Sequence, residues 1–134
     1  MLNRIHKLEK AFVDILNLDG WDLKHTGESF DSWDAIGKTP KNRECVIEFK
    51  FRNKYYPTKV LEQKKCEKLL ESGKEVFYIV NDEKANYWFW LNDIILPAPV
   101  ERMFPNTTAW NGEKILKSCY LLEEKKAIMI NKNY

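Results

Sequence analysis

The sequence predicts an α/β domain, and three observations carry that prediction. Apolar side chains recur at helical spacing over residues 2–17. Residues 45–52 alternate apolar and charged side chains, the signature of a strand. Residues 75–81 are an almost unbroken apolar run between charged and turn-forming residues, as expected of a strand covered on both faces. A chain of 134 residues is long enough for a real hydrophobic core and is read as one domain. Its core spans about 1–96 and an accessory segment spans 97–134.

The elements follow in order. Leu2, Ile5, Leu8, Phe12, Ile15 and Leu16 form the apolar stripe of the first helix, which Asn17, Asp19 and Gly20 end. Trp21–Thr26 begins the sheet, Gly27 breaks it, and Phe30–Ile36 reads as a second strand. Gly37–Arg43 is rich in turn formers and charge and reverses the chain. In the third strand Cys45, Ile47, Phe49 and Phe51 share one face, while Glu48, Lys50 and Arg52, with Val46, share the other. Thr58 is the expected cap of a second helix running to about Ser72, where Gly73 stops it. Glu75–Asn81 and Asn86–Leu96 are the next strands; the aromatic run Tyr87–Trp90 fits a strand buried on two sides or a dimer contact. Pro97, Pro99 and Pro105 interrupt regularity, after which Lys117–Glu123 reads as a strand and Glu124–Ile130 as a short helix.

Composition excludes several classes. No apolar run approaches the length of a membrane span, and the N-terminus lacks a signal peptide's apolar region. Cys45, Cys66 and Cys119 are odd in number and lack CxxC spacing, so they read as reduced thiols of a cytoplasmic protein. His6 and His25 are too few for a histidine-based site and read as surface or capping residues. The net charge is only +2, but it is unevenly spread. Between Lys38 and Lys68 ten cations face four acids, so this stretch is +6 and the remainder −4. Such a concentration suits a polyanion such as nucleic acid, although solvated helix pairs account for part of it.

The chemistry centres on Glu48 and Lys50, an acid and a base two residues apart on one face of a strand. The preceding turn can bring Asp34 opposite Glu48 on that same face. Two carboxylates converging there repel unless neutralised, and a hard divalent cation, Mg2+ or Mn2+, with oxygen ligands is the natural partner. Other Glu-x-Lys or Asp-x-Lys strings occur at 22, 62, 82, 123 and 124, but only Glu48–Lys50 lies in an alternating strand that follows a turn and a second acidic segment. The bland alternative is a solvated sheet face with a cross-strand ion pair.

An aspartate, a turn, then Glu-x-Lys in the next strand resembles the signature of the PD-(D/E)XK nuclease superfamily, carried here by Asp34, Glu48 and Lys50. Trp33 stands where the signature has proline. The resemblance covers residues 30–81, extends weakly to the first helix, and implies a restriction-endonuclease-like core: a central mixed sheet of about four to five strands flanked by helices. It implies Mg2+- or Mn2+-dependent phosphodiester hydrolysis, with Asp34 and Glu48 ligating one or two ions alongside the Phe49 carbonyl. Lys50 orients or deprotonates water, or neutralises charge at phosphorus. A first-helix glutamate adds to the metal site in many members; Glu9 is the candidate, ahead of Asp14, against a surface glutamate pairing with Arg4 or Lys10. Gln63 is the matching glutamine of the second helix, against an amide that caps backbone. Arg52, Lys54, Tyr55 and Tyr56, just past the catalytic strand, are the expected nucleic-acid contacts.

Compact members of the superfamily include junction resolvases and phage-encoded nucleases, and this chain is similar in scale. That implies double-stranded or branched DNA as partner, a homodimer or higher oligomer, no membrane, and a cytoplasmic location (the host's, for a phage protein). Two rivals remain open: a nuclease-fold DNA-binding module without turnover, and a small protein-interaction protein using the Trp-rich strand.

Overall fold

The computed structural model describes residues 4–27, 33–105 and 114–132. Helix α1 (Arg4–Leu18) precedes strands β1 (Asp22–His25), β2 (Ala35–Lys38), β3 (Glu44–Phe51) and β4 (Thr58–Glu62). Helix α2 (Gln63–Leu70) leads to β5 (Glu75–Asn81), β6 (Ala85–Trp90), β7 (Val100–Pro105), β8 (Lys114–Glu123), a 3-10 turn (Glu124–Lys126) and β9 (Met129–Lys132). The main sheet is six-stranded, β1-β2-β3-β5-β6-β9, where the sequence reading expected four to five strands. It is mixed: β3 and β5 pair in parallel and every other neighbour is antiparallel. A parallel pair needs a crossover, which β4 and α2 supply.

The alternation of β3 builds the layers. Ile47 and Phe49 join Phe77, Ile79 and Trp88 under Val13 and Leu16 of α1. Val46, on the opposite face, joins Tyr78, Val80 and Phe89 against Leu69 of α2 and Leu61 and Leu122 of a second sheet. Each such side chain taken fully from water contributes about 1.5–3 kcal/mol before entropy is counted. Tyr87 and Phe89 face one core and Trp88 the other, so the aromatic strand is buried on two sides. The three cysteines are buried free thiols. No described helix is long and apolar enough to cross a membrane.

Three elements depart from the sequence reading. On α1 the buried row is Glu9, Val13 and Leu16, while Ile5, Leu8 and Ile15 stay exposed. Spacings of four and seven hold, but the helix is rotated from the expected stripe, and Leu2 lies outside the described residues. Thr58–Glu62 is a strand and not the first turn of α2. Its Thr and Val favour strand, and Lys59 and Leu61 alternate inward against β8. Residues 129–132 pair with β6 as the last strand of the main sheet and are not helical. Gly73 ends α2 with φ +71, as expected of a C-terminal glycine.

The second sheet, β4-β8-β7, was not foreseen. Two polar contacts fasten it to the main sheet: the Tyr78 hydroxyl donates to the Val60 carbonyl at 2.7 Å, and Lys59 Nζ donates to Asp82 Oδ2 at 2.8 Å. Lys59 and Asp82 are each only 4% exposed. Lys59 also donates to the Tyr56 carbonyl and lies over the Tyr55 and Tyr87 rings, 4.4 and 4.0 Å from their centroids. Burial pushes the Asp82 carboxyl up, but Lys59 and the Lys84 and Ala85 N–H groups outweigh it and hold the group below its usual range.

Removing one member of a buried pair strands the other without its partner. Lys59→Met is therefore expected to lower unfolding free energy by about 3 kcal/mol, read by urea titration of tryptophan fluorescence. Adding Asp82→Asn should lose much less than the sum of the two single changes. An unchanged midpoint in Lys59→Met would show that the pair does not hold the sheets together.

Candidate active site

Antiparallel pairing of β2 with β3 sets Ala35 across from Ile47, and Asp34, the residue before β2, comes close to Glu48. Asp34 N–H donates to the Ile47 carbonyl at 3.0 Å, and Asp34 Oδ2 accepts the Phe49 N–H at 2.9 Å. The regular strand begins at Ala35, so Asp34 stands just before it and not inside the expected Phe30–Ile36 strand, of which residues 30–32 lie outside the described residues. Alternation on β3 turns Glu48 and Lys50 to the same face, where Tyr78 and Val80 flank them on β5.

The two acids interact directly. Burial raises the Asp34 carboxyl, opposed by the Phe49 N–H, Lys65 and a hydrogen bond from Glu48. Burial and the Asp34 charge push Glu48 up to about 8, opposed by Lys65, whose Nζ lies 3.6 Å from Glu48 Oε2. Each carboxylate disfavours ionisation of the other, so burial and mutual repulsion both raise the pair. Glu48 Oε1 is buried without a hydrogen-bond partner. Lys50 is pulled below its usual value by burial and by Arg52, against the opposite pull of Glu62, Glu48 and Asp34.

Glu9 approaches from α1. It is 4% exposed, its Oε1 lies 2.8 Å from His25 Nε2, and burial raises its carboxyl despite the imidazole. Gly27 marks where these groups converge: a Cβ there would stand 2.5 Å from Glu9 Oε1, 2.8 Å from His25 Nε2 and 3.3 Å from Asp34 Oδ1. Asp14, the weaker alternative, is exposed.

This donor set fits a hard divalent cation. It offers hard oxygen donors, carboxyls raised by burial and mutual repulsion, and one buried oxygen without a donor among the described residues. Among the described residues no three acid, imidazole or thiol groups form a ready cage. Asp34 and Glu48, with backbone carbonyl and water, would hold an ion that characteristically keeps part of its hydration shell. Glu9 already spends one oxygen on His25.

The remaining candidates separate. Lys50 and Arg52 line both of two adjoining hollows of 560 and 370 Å³ between the sheets; Glu48 and Lys65 line the smaller, Lys54 and Tyr56 the larger. Tyr55 turns elsewhere, its ring between Lys59 and Lys84. The Gln63 side chain hydrogen-bonds Tyr120 and lines neither hollow. Two residues were missed. His25 was read as a surface or capping residue, yet its side chain is only 8% exposed. Its position two residues beyond buried Leu23, hence on the helix-facing side of β1, was the available signal. Lys65 gave no signal beyond its charge, because the start of α2 was misplaced.

No protein-family model matches the sequence, and no curated protein matches it significantly. Among solved structures the chain is similar to Archaeoglobus fulgidus Hjc, a Holliday junction resolvase from an archaeal hyperthermophile. The TM-score is 0.61 at 13% identity, covering 94% of this chain and 88% of that one. At that identity the likeness is one of fold, and it agrees with the mixed α/β architecture.

A carboxyl raised in the folded state adds stability that is complete below its unfolded value and is lost as pH rises through the folded one. For Glu48 that window runs from about 4.5 to about 8. In EDTA the melting temperature is expected to fall across it, and Glu48→Gln should flatten the decline and melt higher than wild type at the alkaline end. Equal slopes in the two proteins would remove Glu48 as the source.

Proposed function

We propose that this protein is a metal-dependent nuclease of the PD-(D/E)XK type that hydrolyses phosphodiester bonds in DNA. The observation that carries this reading is Asp34, just before β2, lying beside Glu48 of β3, both carboxyls raised by burial, with Lys50 on the Glu48 face of the same strand. The fold likeness to a protein whose title names a Holliday junction resolvase supports it and brings branched DNA forward as the form to test.

Roles follow from position. Asp34 and Glu48 would hold the cation, with Glu9 close behind and fixed by His25. The bound ion supplies Lewis-acid polarisation of the phosphoryl oxygen and a more acidic water. Phe49 N–H fixes the Asp34 carboxyl, so that group is oriented before anything binds. Lys50 faces the same hollow as Glu48, where its ammonium orients the attacking water and meets charge growing on the phosphorus oxygens. Lys65 offsets part of the acids' repulsion and keeps Glu48 turned inward. Among the described residues Arg52 and Lys54 make no salt bridge, so their charge is available to the phosphodiester backbone.

Cleavage of labelled linear, single-stranded and branched DNA should require Mg2+ or Mn2+ and stop in EDTA. Asp34→Ala and Lys50→Ala should each lower the rate by about 100-fold or more, with melting temperatures that stay within the folded range. If wild type cuts nothing yet binds DNA equally well in EDTA, the binding-module reading replaces this one.

A further inference from the structure

The two hollows share Lys50, Arg52, Val60 and Phe104 and so form one continuous trench. Glu48 lies toward one end, and Lys54, Tyr56 and Arg102 toward the other. Its floor belongs to the main sheet. Its far wall is β7 and β8 of the second sheet, which present Arg102, Phe104 and Lys117. From Glu48 to Arg52 the chain advances four residues, about 13 Å at strand rise, so the trench runs past the candidate site.

Charge and size identify its occupant. Among the described residues Lys50, Arg52, Lys54 and Arg102 form no salt bridge, and all four line the larger hollow. On this concave surface the four cations outnumber Asp82, which Lys59 already pairs, and that excess of positive charge suits a polyanion. Volumes of 560 and 370 Å³ fall in the range of about 300–1,000 Å³ that encloses one drug-sized molecule. That is the scale of a nucleotide or two of a single strand. Phe104 supplies an aromatic face in the wall, with Lys117 Nζ 5.8 Å from its centroid. Aromatic faces beside cations are the means by which single strands are held without regard to sequence.

We propose that the second sheet is a strand clamp: Arg102 holds a backbone phosphate and Phe104 stacks a base of one unpaired DNA strand laid along the trench toward Glu48. This rests on the nuclease reading and narrows it, because the DNA must then carry a frayed end, fork or flap that lets one strand enter.

The test is fluorescence anisotropy in EDTA with a short labelled oligothymidylate, a blunt duplex and a forked duplex. Wild type, Arg102→Ala, Phe104→Leu and the charge control Arg43→Ala are compared, with metal-dependent cleavage of the fork measured on the same samples. Phe104→Leu keeps apolar bulk in the wall and removes the aromatic face, and thermal melting checks its folding. The expected result is a wild type that prefers oligothymidylate and fork to blunt duplex. Phe104→Leu should bind about tenfold more weakly, and Arg102→Ala should flatten the log–log salt slope by about 0.7, with Arg43→Ala near wild type. Wild-type cleavage with unaltered binding in both trench variants would overturn the clamp and leave the nuclease standing. Equal affinity for blunt duplex would overturn the single-strand assignment alone. No binding and no cleavage of any DNA would overturn both.

Discussion

Everything in this molecule depends on the register of β3 between β2 and β5. Side chains alternate along a strand, so a slip of one residue would carry Glu48 and Lys50 into the apolar layer under α1 and lift Ile47 and Phe49 out of it. Burial on both faces forbids that slip: Cys45, Val46 and Ile47 are fully buried in succession, two facing one core and one the other. The same register sets Tyr78 beside Glu48 and brings the start of β2, with Asp34 before it, to the same place. Hydrophobic sorting thus places the acids to within a residue. The Phe49 N–H then fixes the Asp34 carboxyl itself.

The second sheet turns that face into a trench. A solvated face would leave the carboxyls near their ordinary values, whereas β4, α2 and β7 exclude enough water to raise them. The Tyr78–Val60 and Lys59–Asp82 contacts hold this sheet against β5, and both lie beside the trench. A buried ion pair need not add net stability, but its directionality fixes how one sheet meets the other. Here it supports the wall opposite Lys50.

What was legible in the sequence divides along the same line. The alternation of 45–52, the apolar run of 75–81 and the turn before Cys45 were strong local signals, and they returned the central strands and the facing of Asp34 and Glu48. Thr58–Glu62 was misread because a threonine before a cationic stretch also suits a helix cap, and its strand character depends on pairing with β8, about 60 residues away. The α1 stripe was read with the right period and the wrong phase. Glu9 lies inside the buried row because His25 satisfies it there, a partnership across 16 residues that no local pattern encodes. Gln63 was placed by the family resemblance and Tyr55 by proximity in sequence, and the packing of β8 and of Lys59 turned both away from the trench.

The site conflicts with the rest of the fold in a way that bears on its use. Burying Glu9, Asp34 and Glu48 together raises all three and leaves one oxygen of Glu48 without a donor. A protein selected for stability alone would replace such a cluster with apolar side chains of similar volume. Lys65 offsets only part of the repulsion from 3.6 Å, and His25 is committed to Glu9. The two apolar cores carry the stability that lets the cluster persist, and neither needs the acids. Local rules broken at one concave place, on a scaffold that obeys them elsewhere, are the mark of a site kept for what it binds. A divalent cation would answer both the raised carboxyls and the stranded oxygen, which would tie the electrostatic cost of the site to the chemistry proposed for it.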